Sequence, residues 1–405
     1  MEKAQRFSAL YTRDFRLFWF GQIISLSGTW MHSMAQSWLV YSMTKSPLYL
    51  GLIASLSSLP ILLFTLIGGS VADRYPRRNI LIITQLLSII PALVLGVLTY
   101  GNAVTIWQVG LIAVFFGTVN AFDIPARQSF LAEVVGRGDI TNAIALNSAA
   151  FNGARIIGPL IAGFIIANFS IPACFFLNAI SFVPVVFALS KIKASGMPVK
   201  REQGFIAGID EGWKFVRRER PVFYIMSLIA IFSLFGIPYI TMLPVLAVEV
   251  LDVGVKGLSV LMSSAGIGSF AAAVFIAFRG EIDGKGIYIP AAAIVFSIAI
   301  MAISLSHNYY LSAAIIFFAG WGIVSFLAVG NSYIQQAVPN ELRGRVMSLY
   351  TLVFLGFAPL GNSAIGFMAH FIGTLPSLRI FAAVCILSSL IFFVLFEKSY
   401  KESMA

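Results

Sequence analysis

Gly69-Ser-Val-Ala-Asp-Arg-Tyr-Pro-Arg-Arg78 closes an apolar run placed at roughly 48–71 and gives way to another at roughly 79–100. A decapeptide with one acid and three arginines cannot sit in hydrocarbon. It reads as a loop at a membrane surface, and the same punctuation by charge, Gly, Pro or Asn recurs along the whole chain. In the first half it sets off spans at roughly 17–43, 48–71, 79–100, 106–127, 142–168 and 171–190. In the second half it gives roughly 221–248, 257–278, 287–305, 309–334, 346–373 and 376–396. Of the 405 residues 59% are apolar and only 11% charged, against about 25% charged in a soluble domain, which excludes a water-soluble globule. Twelve helices of about 20 residues each would use nearly all the apolar residues. The longest gap, Lys191 to Arg220, holds 30 residues, too few for a soluble catalytic domain.

Charge gives the orientation. Of the 27 Lys and Arg residues, 23 fall on one side when the twelve spans alternate, counting Arg74, Arg77, Arg78, Arg127 and the eight between Lys191 and Arg220. Lys45, Lys256 and Arg379 fall on the other, and Arg155 alone lies within a span. The positive-inside rule then puts both termini in the cytoplasm. The net charge of +10 follows from this orientation, with some attraction to anionic membrane lipid, and gives no support to nucleic-acid binding. Met1 to Arg16 is polar and basic, and the first apolar run reads as a retained span, not a cleaved signal. Cys174 and Cys385 both sit in apolar runs, and only His32, His307 and His370 are available, so neither a disulfide scaffold nor a metal site is expected.

The chain repeats itself. A shift of 203 residues brings Phe115, Gly117, Ser129, Val135, Leu146 and Phe151 onto Phe318, Gly320, Ser332, Val338, Leu349 and Phe354. It also brings Gly153, Gly158, Gly163 and Phe164 onto Gly356, Gly361, Gly366 and Phe367. The expected organisation is an all-α membrane protein with two pseudo-symmetric six-helix bundles, 1–190 and 221–405, joined by a 191–220 linker. In that linker Phe205, Ile209, Trp213 and Val216 recur at helical spacing beside Lys214, Arg217, Arg218 and Arg220. The pattern reads as an amphipathic helix on the inner membrane surface, the alternative being an unstructured basic linker.

With its Gly69, Asp73-Arg74 and Arg77-Arg78, the loop resembles the cytoplasmic signature of the major facilitator superfamily, departing from it at Pro76, where the family has Gly. Physically, Gly allows helices to approach closely, a carboxylate can cap a facing helix N-terminus, and arginines can pair with nearby acids. The resemblance implies that Asp73 lies against the start of the eleventh span and that Arg77 reaches an acid at the end of the fourth, with Asp123 the candidate. Asn120, Asp123 and Arg127 share one helical face, and Pro125 could break the helix near Arg127. Such a cluster would latch the cytoplasmic side. The stretch Phe278 to Lys285 has charge but not the signature, so a second-half latch is degenerate or absent.

The segment Gly153-Ala-Arg-Ile-Ile-Gly-Pro-Leu-Ile-Ala-Gly163 resembles the Gly-Pro motif of exporters in this superfamily, with Gly153, Gly158 and Gly163 for close packing and Pro159 for a bend. Packing without directional meaning is the alternative. Ser148, Asn152, Arg155 and Pro159 share one face. A cation buried in a span points to function, so Arg155 is expected to contact an anionic substrate group or a coupling acid, or else to pair with Asp123 or carbonyls. The first span carries Gln22, Ser25, Thr29, His32 and Gln36 as one polar stripe, expected to face a water-filled cavity with Trp30, Trp38 and Met34 beside it. His32 either exchanges a proton or is simply hydrogen-bonded.

Over the whole chain, including Arg13 to Trp19, Thr44 to Pro47 and Glu341 to Ser348, the sequence is similar to the enterobactin-exporter and macrolide-efflux branch of that superfamily. The resemblance implies a bacterial inner-membrane secondary transporter, a proton-coupled exporter of small amphiphilic drugs or siderophores working as a monomer by alternating access, with no cofactor. A lysophospholipid flippase of the same fold is the alternative. A membrane enzyme would need a nucleophile and base within reach, and no Ser/His pair or paired carboxylates stand out.

Overall fold

The computed structural model describes residues 8–136, 139–192, 205–280, 282 and 284–404, with side chains at 205–209 and 401–404 outside that description. The described chain is a succession of helices: α1 (Arg13–Thr44), α2 (Pro47–Arg74), α3 (Arg77–Tyr100), α4 (Ile106–Val135), α5 (Ile140–Asn168), α6 (Ile171–Lys191) and α7 (Phe205–Arg218). They continue with α8 (Arg220–Val250), α9 (Gly254–Arg279), α10 (Lys285–Ile303), α11 (Tyr309–Ala337), α12 (Asn340–Ile372) and α13 (Thr374–Met404). Eleven of these are long and apolar enough to span a membrane. The twelfth span is α1, whose 32 residues exceed the roughly 20 required while its polar stripe lowers its mean hydropathy. The protein is thus an all-α membrane protein with twelve spans.

Several helices outrun their apolar cores. The fourth helix continues to Val135, eight residues beyond the hydrophobic run, and passes through Pro125 without a break. An α-helix satisfies its own backbone, so it carries on into the polar zone where the hydropathy signal has ended, and a membrane helix tolerates the Pro. In α8, by contrast, Pro238 and Pro244 lie among 3₁₀ and π turns between Phe232 and Val250, as expected where prolines remove backbone donors.

The helices pack into two compact units, Met1–Lys45 with Leu56–Arg201, and Ser46–Ser55 with Glu202–Ala405. Two departures from the expected 1–190 and 221–405 division stand out. The first turns of α2 group with the second unit, where Ser55 Oγ donates to Pro359 O at 2.8 Å and a Cβ on Gly51 would lie 2.8 Å from Gly366 Cα. The amphipathic α7 also belongs there. Its Val216 is fully buried, Glu211 pairs with Arg345, and a Cβ on Gly212 would come within 3.3 Å of the Arg345 backbone. At Gly212 and Glu211 the helix therefore packs on α12, while Trp213 stays exposed and the side chains of Phe205 and Ile209 lie outside the described residues.

Within each unit the repeated glycines do the same job. A Cβ on Gly117 of α4 would meet Ser57 O of α2 at 2.3 Å, and one on its repeat mate Gly320 of α11 would meet Ala265 O of α9 at 2.1 Å. Gly158 brings α5 onto α1, where a Cβ would lie 2.8 Å from Ser27 O, and Gly361 brings α12 onto α8, 2.4 Å from Leu234 O. Each pair seats corresponding helices of the two units, which gives the 203-residue register a packing explanation. Gly153 is different, with nothing within 4 Å of its Cβ position. Replacing Gly320 by Val should accordingly lower stability by about 1–3 kcal/mol or more, because a backbone oxygen cannot yield as a side chain can. The Gly153→Ala change should stay within about 0.5 kcal/mol. Melting of both purified variants in detergent checks this ordering.

Candidate functional site

Arg77 is the hub of one end of the first unit. Its position at the start of α3, right after the α2–α3 turn, lets Nε donate to Ala72 O at 3.1 Å, satisfying a carbonyl left open at the end of α2. Nη1 engages Glu133 of α4, and Nη2 lies 3.7 Å from Asp73. The side chains of Arg77 and Glu133 are 14% and 13% exposed, so this pair is shielded, whereas Asp73 at 46% is screened and contributes little. The acid that Arg77 reaches is Glu133 and not Asp123. Ten residues of α4 separate the two acids, about 15 Å along the axis. Arg78 donates to Leu189 O at 2.7 Å and Ser190 O at 3.0 Å, a cation on the carbonyl end of α6. Arg74 is exposed. Gly69 has no neighbour within 4 Å of its Cβ position, and the close approach in this loop is made one residue earlier, where a Cβ on Gly68 would meet Ala121 O at 2.2 Å.

Asp123 centres a second network. It is 4% exposed and accepts from Thr84 Oγ1 and Gln85 Nε2 of α3 at 2.8 Å each, and from Arg127 Nε at 2.8 Å. Ser25 of α1 extends the chain to Gln85 Oε1 at 3.1 Å. Three helices are thereby joined through one carboxylate, with Arg127 Nη1 and, at the Arg77 hub, Glu133 Oε2 left as buried atoms without a protein partner. Arg137 lies outside the described residues.

The polar stripe of α1 turns inward. Gln22, Ser25 and His32 are only 2–3% exposed, with Thr29 and Gln36 half-buried, and Gln22 Nε2 donates to Asn147 Oδ1 of α5 at 2.8 Å. Polar side chains tie helices together in a membrane, and an inward stripe has the same period as an outward one. Thr29 returns its hydroxyl to Ser25 O. His32 lies 3.2 Å from Gln36 Oε1 through Nε2, between the rings of Phe116 and Phe175 at centroid distances of 5.5 and 5.0 Å, and its Nδ1 is buried without a protein partner. Asn120 and Asn152 spend their amides on the carbonyls of Phe116 and Ser148.

Arg155 is half-buried on α5, and its guanidinium carbon lies 5.5 Å from the centre of the Trp30 ring. Phe151 meets the same indole edge-on at 5.7 Å. The platform exists because Gly158 is small: a Cβ there would lie 2.5 Å from Trp30 Cβ. The Gly158-Pro159 pair lies inside an uninterrupted α5, and Pro159 and Gly163 are buried. A cation spread over an indole has its charge partly met by the ring.

Missed in the sequence were Glu133, Thr84 and Gln85. Glu133 falls beyond the apolar run of the fourth span, and its signal was the helical continuation through Phe130 and Val134, both buried.

The twelve spans form two glycine-seated units, and the comparisons with known proteins identify them as a membrane transporter of the major facilitator type. The chain belongs to the transmembrane secretion effector family, whose profile matches residues 4–404. It is 26% identical over 394 residues to the staphyloferrin A transporter of Staphylococcus aureus, covering 95% of this chain and 96% of that one. It is 20% identical over 352 residues to macrolide efflux protein A of Streptococcus pyogenes, covering 86% and 87%, and 26% identical over 365 residues to the multidrug efflux pump Tap of Mycolicibacterium fortuitum, covering 87% and 88%. Among solved structures, a bacterial homologue of the human lysosomal transporter Spinster superposes with a TM-score of 0.76 at 13% identity over 99% of both chains. The nucleoside transporter NupG gives 0.73 at 14% identity over 95% and 99%.

Removing Asp123 should strand the largely buried Arg127, at a cost of about 3–5 kcal/mol. Asp123→Ala is therefore expected to melt well below the parent, and adding Arg127→Leu should recover part of the loss. A double-mutant cycle by thermal melting measures the coupling.

Proposed function

We propose that this protein is a proton-coupled exporter of small amphiphilic organic molecules of the drug or siderophore type, working by alternating access as a monomer in a bacterial inner membrane with both termini cytoplasmic. The observation that carries the reading is the three-way engagement of Arg77 with Ala72 O, Asp73 and Glu133. One guanidinium ties the ends of α2, α3 and α4 by charge, and charge can be undone by a proton. Glu133 is placed to take it: one oxygen holds Arg77, and the other, Oε2, is buried without a protein partner. Protonation would weaken the hold on Arg77 and loosen the end of the bundle. Asp123, ringed by donors, serves better as the fixed point against which that movement occurs. The names of the efflux relatives support export.

Substrate contact is assigned to Arg155 on its Trp30 and Phe151 platform, which suits a molecule with an apolar body and an anionic group. Losing the guanidinium removes a charge-assisted hydrogen bond, so Arg155→Ala should weaken binding of anionic substrates by about tenfold or more. Arg155→Lys should fall between, since the ammonium cannot make the planar fork, and neutral substrates should be nearly unaffected.

Reconstituted proteoliposomes carrying an imposed pH gradient test the whole reading, with siderophores, macrolides and lysophospholipids as candidate cargo. The expected result is saturable movement of one of the first two that collapses with a protonophore and loses its dependence on the gradient in Glu133→Gln. Movement of lysophospholipid alone, or movement indifferent to the gradient, would overturn it.

A further inference from the structure

The repeat register exposes a difference between the two units. Glu133, the acid that holds Arg77, aligns 203 residues later with Gln336. There Lys285 Nζ of α10 donates to Gln336 Oε1 at 2.6 Å, so an amide stands where the first unit has a carboxylate. Next to it the last turns of α11 and the first turn of α12 border an open cleft of about 370 Å³ lined by Ala328, Asn331, Ser332, Gln335, Gln336 and Arg343. Among the described residues, one cation and four neutral polar side chains line it, and no acid does.

We propose that this cavity is a binding site for an oxyanion of the phosphate-ester class, supplied by the headgroup of an anionic phospholipid. The donor set fits such a group. Arg343 presents a planar fork to two oxygens, and the Ser332 hydroxyl and the Asn331 amide can reach others. Gln335 Nε2 lies 3.2 Å from Asn331 Oδ1, which fixes that amide's carbonyl and leaves its NH₂ available. A carboxylate lining group would repel the ligand, and the exchange of Glu for Gln at this register removes it. Size agrees as well, because the volume exceeds that of a bare phosphate and suits a phosphodiester with its attached glycerol. So does depth: α11 has 29 residues, about 44 Å, against about 30 Å of hydrocarbon. Its final turns, which carry the lining residues, therefore lie at headgroup level. In the first unit the protein supplies the anion from its own Glu133. The second unit takes it from the bilayer.

The test uses the full chain in phosphatidylcholine nanodiscs, alone, doped with phosphatidylglycerol, or supplied with inorganic phosphate. Phosphatidylglycerol should raise the melting temperature of the parent and remain bound in native mass spectra. Arg343→Gln should bind it about tenfold more weakly and lose the shift. Gln336→Glu keeps Arg343 but places an acid in the cavity, and should lose the shift too, which preserves the test if Arg343→Gln fails to fold. An equal shift with inorganic phosphate that depends on Arg343 in the same way would overturn the lipid assignment while retaining the oxyanion site. A response to phosphatidylglycerol in both variants equal to that of the parent would overturn the site itself.

Discussion

A guanidinium at the edge of hydrocarbon must be met by the protein, and Arg77 is met by Ala72 O and Asp73 at the end of α2 and by Glu133 of α4. The shielded contact with Glu133 carries most of this, because little water reaches that pair, whereas exposed Asp73 adds little. The turn that delivers Arg77 is short because Pro76 follows the last turn of α2 and precedes α3. The extension of α4 past its apolar run is what brings Glu133 within reach. The end of the first unit is thus organised around one charge, and the helices seated by Gly117 and Gly158 give that charge a rigid frame.

The spans, their order and the internal repeat were legible in the sequence because hydrocarbon enforces them: polar residues are expelled into loops, and a close helix crossing admits only a small residue. The pairs Gly117/Gly320 and Gly158/Gly361 align by sequence alone and prove to meet backbone oxygens of the corresponding helices. The direction of the α1 stripe was not legible. Gln22, Ser25 and His32 could have faced water or neighbouring helices with identical spacing, and only the positions of Asn147, Gln85 and Phe116 decide between them. Nor was the partner of Arg77, since hydropathy marks where the apolar layer ends and not where the helix does.

The two units share a helical plan but differ in charge. The first carries a buried acid at 123 and a shielded one at 133, and at the same register the second has Phe326 and Gln336. These carboxylates therefore belong to the first unit alone, with Arg155 on its tryptophan contributing a further charge to that unit. The second unit instead holds α7 against α12 through Glu211, Gly212 and Arg345, and pairs Lys285 with an amide.

The central claim is that the attraction between Arg77 and Glu133 is a working part of transport, and a charge exchange tests it most directly. Arg77→Glu and Glu133→Arg singly, and then together, would be compared for transport in proteoliposomes at equal insertion. The expected result is that each single change abolishes transport by opposing like charges, and that the double exchange restores a measurable fraction of it. Singles that transport like the parent, or a double no better than either single, would contradict the claim.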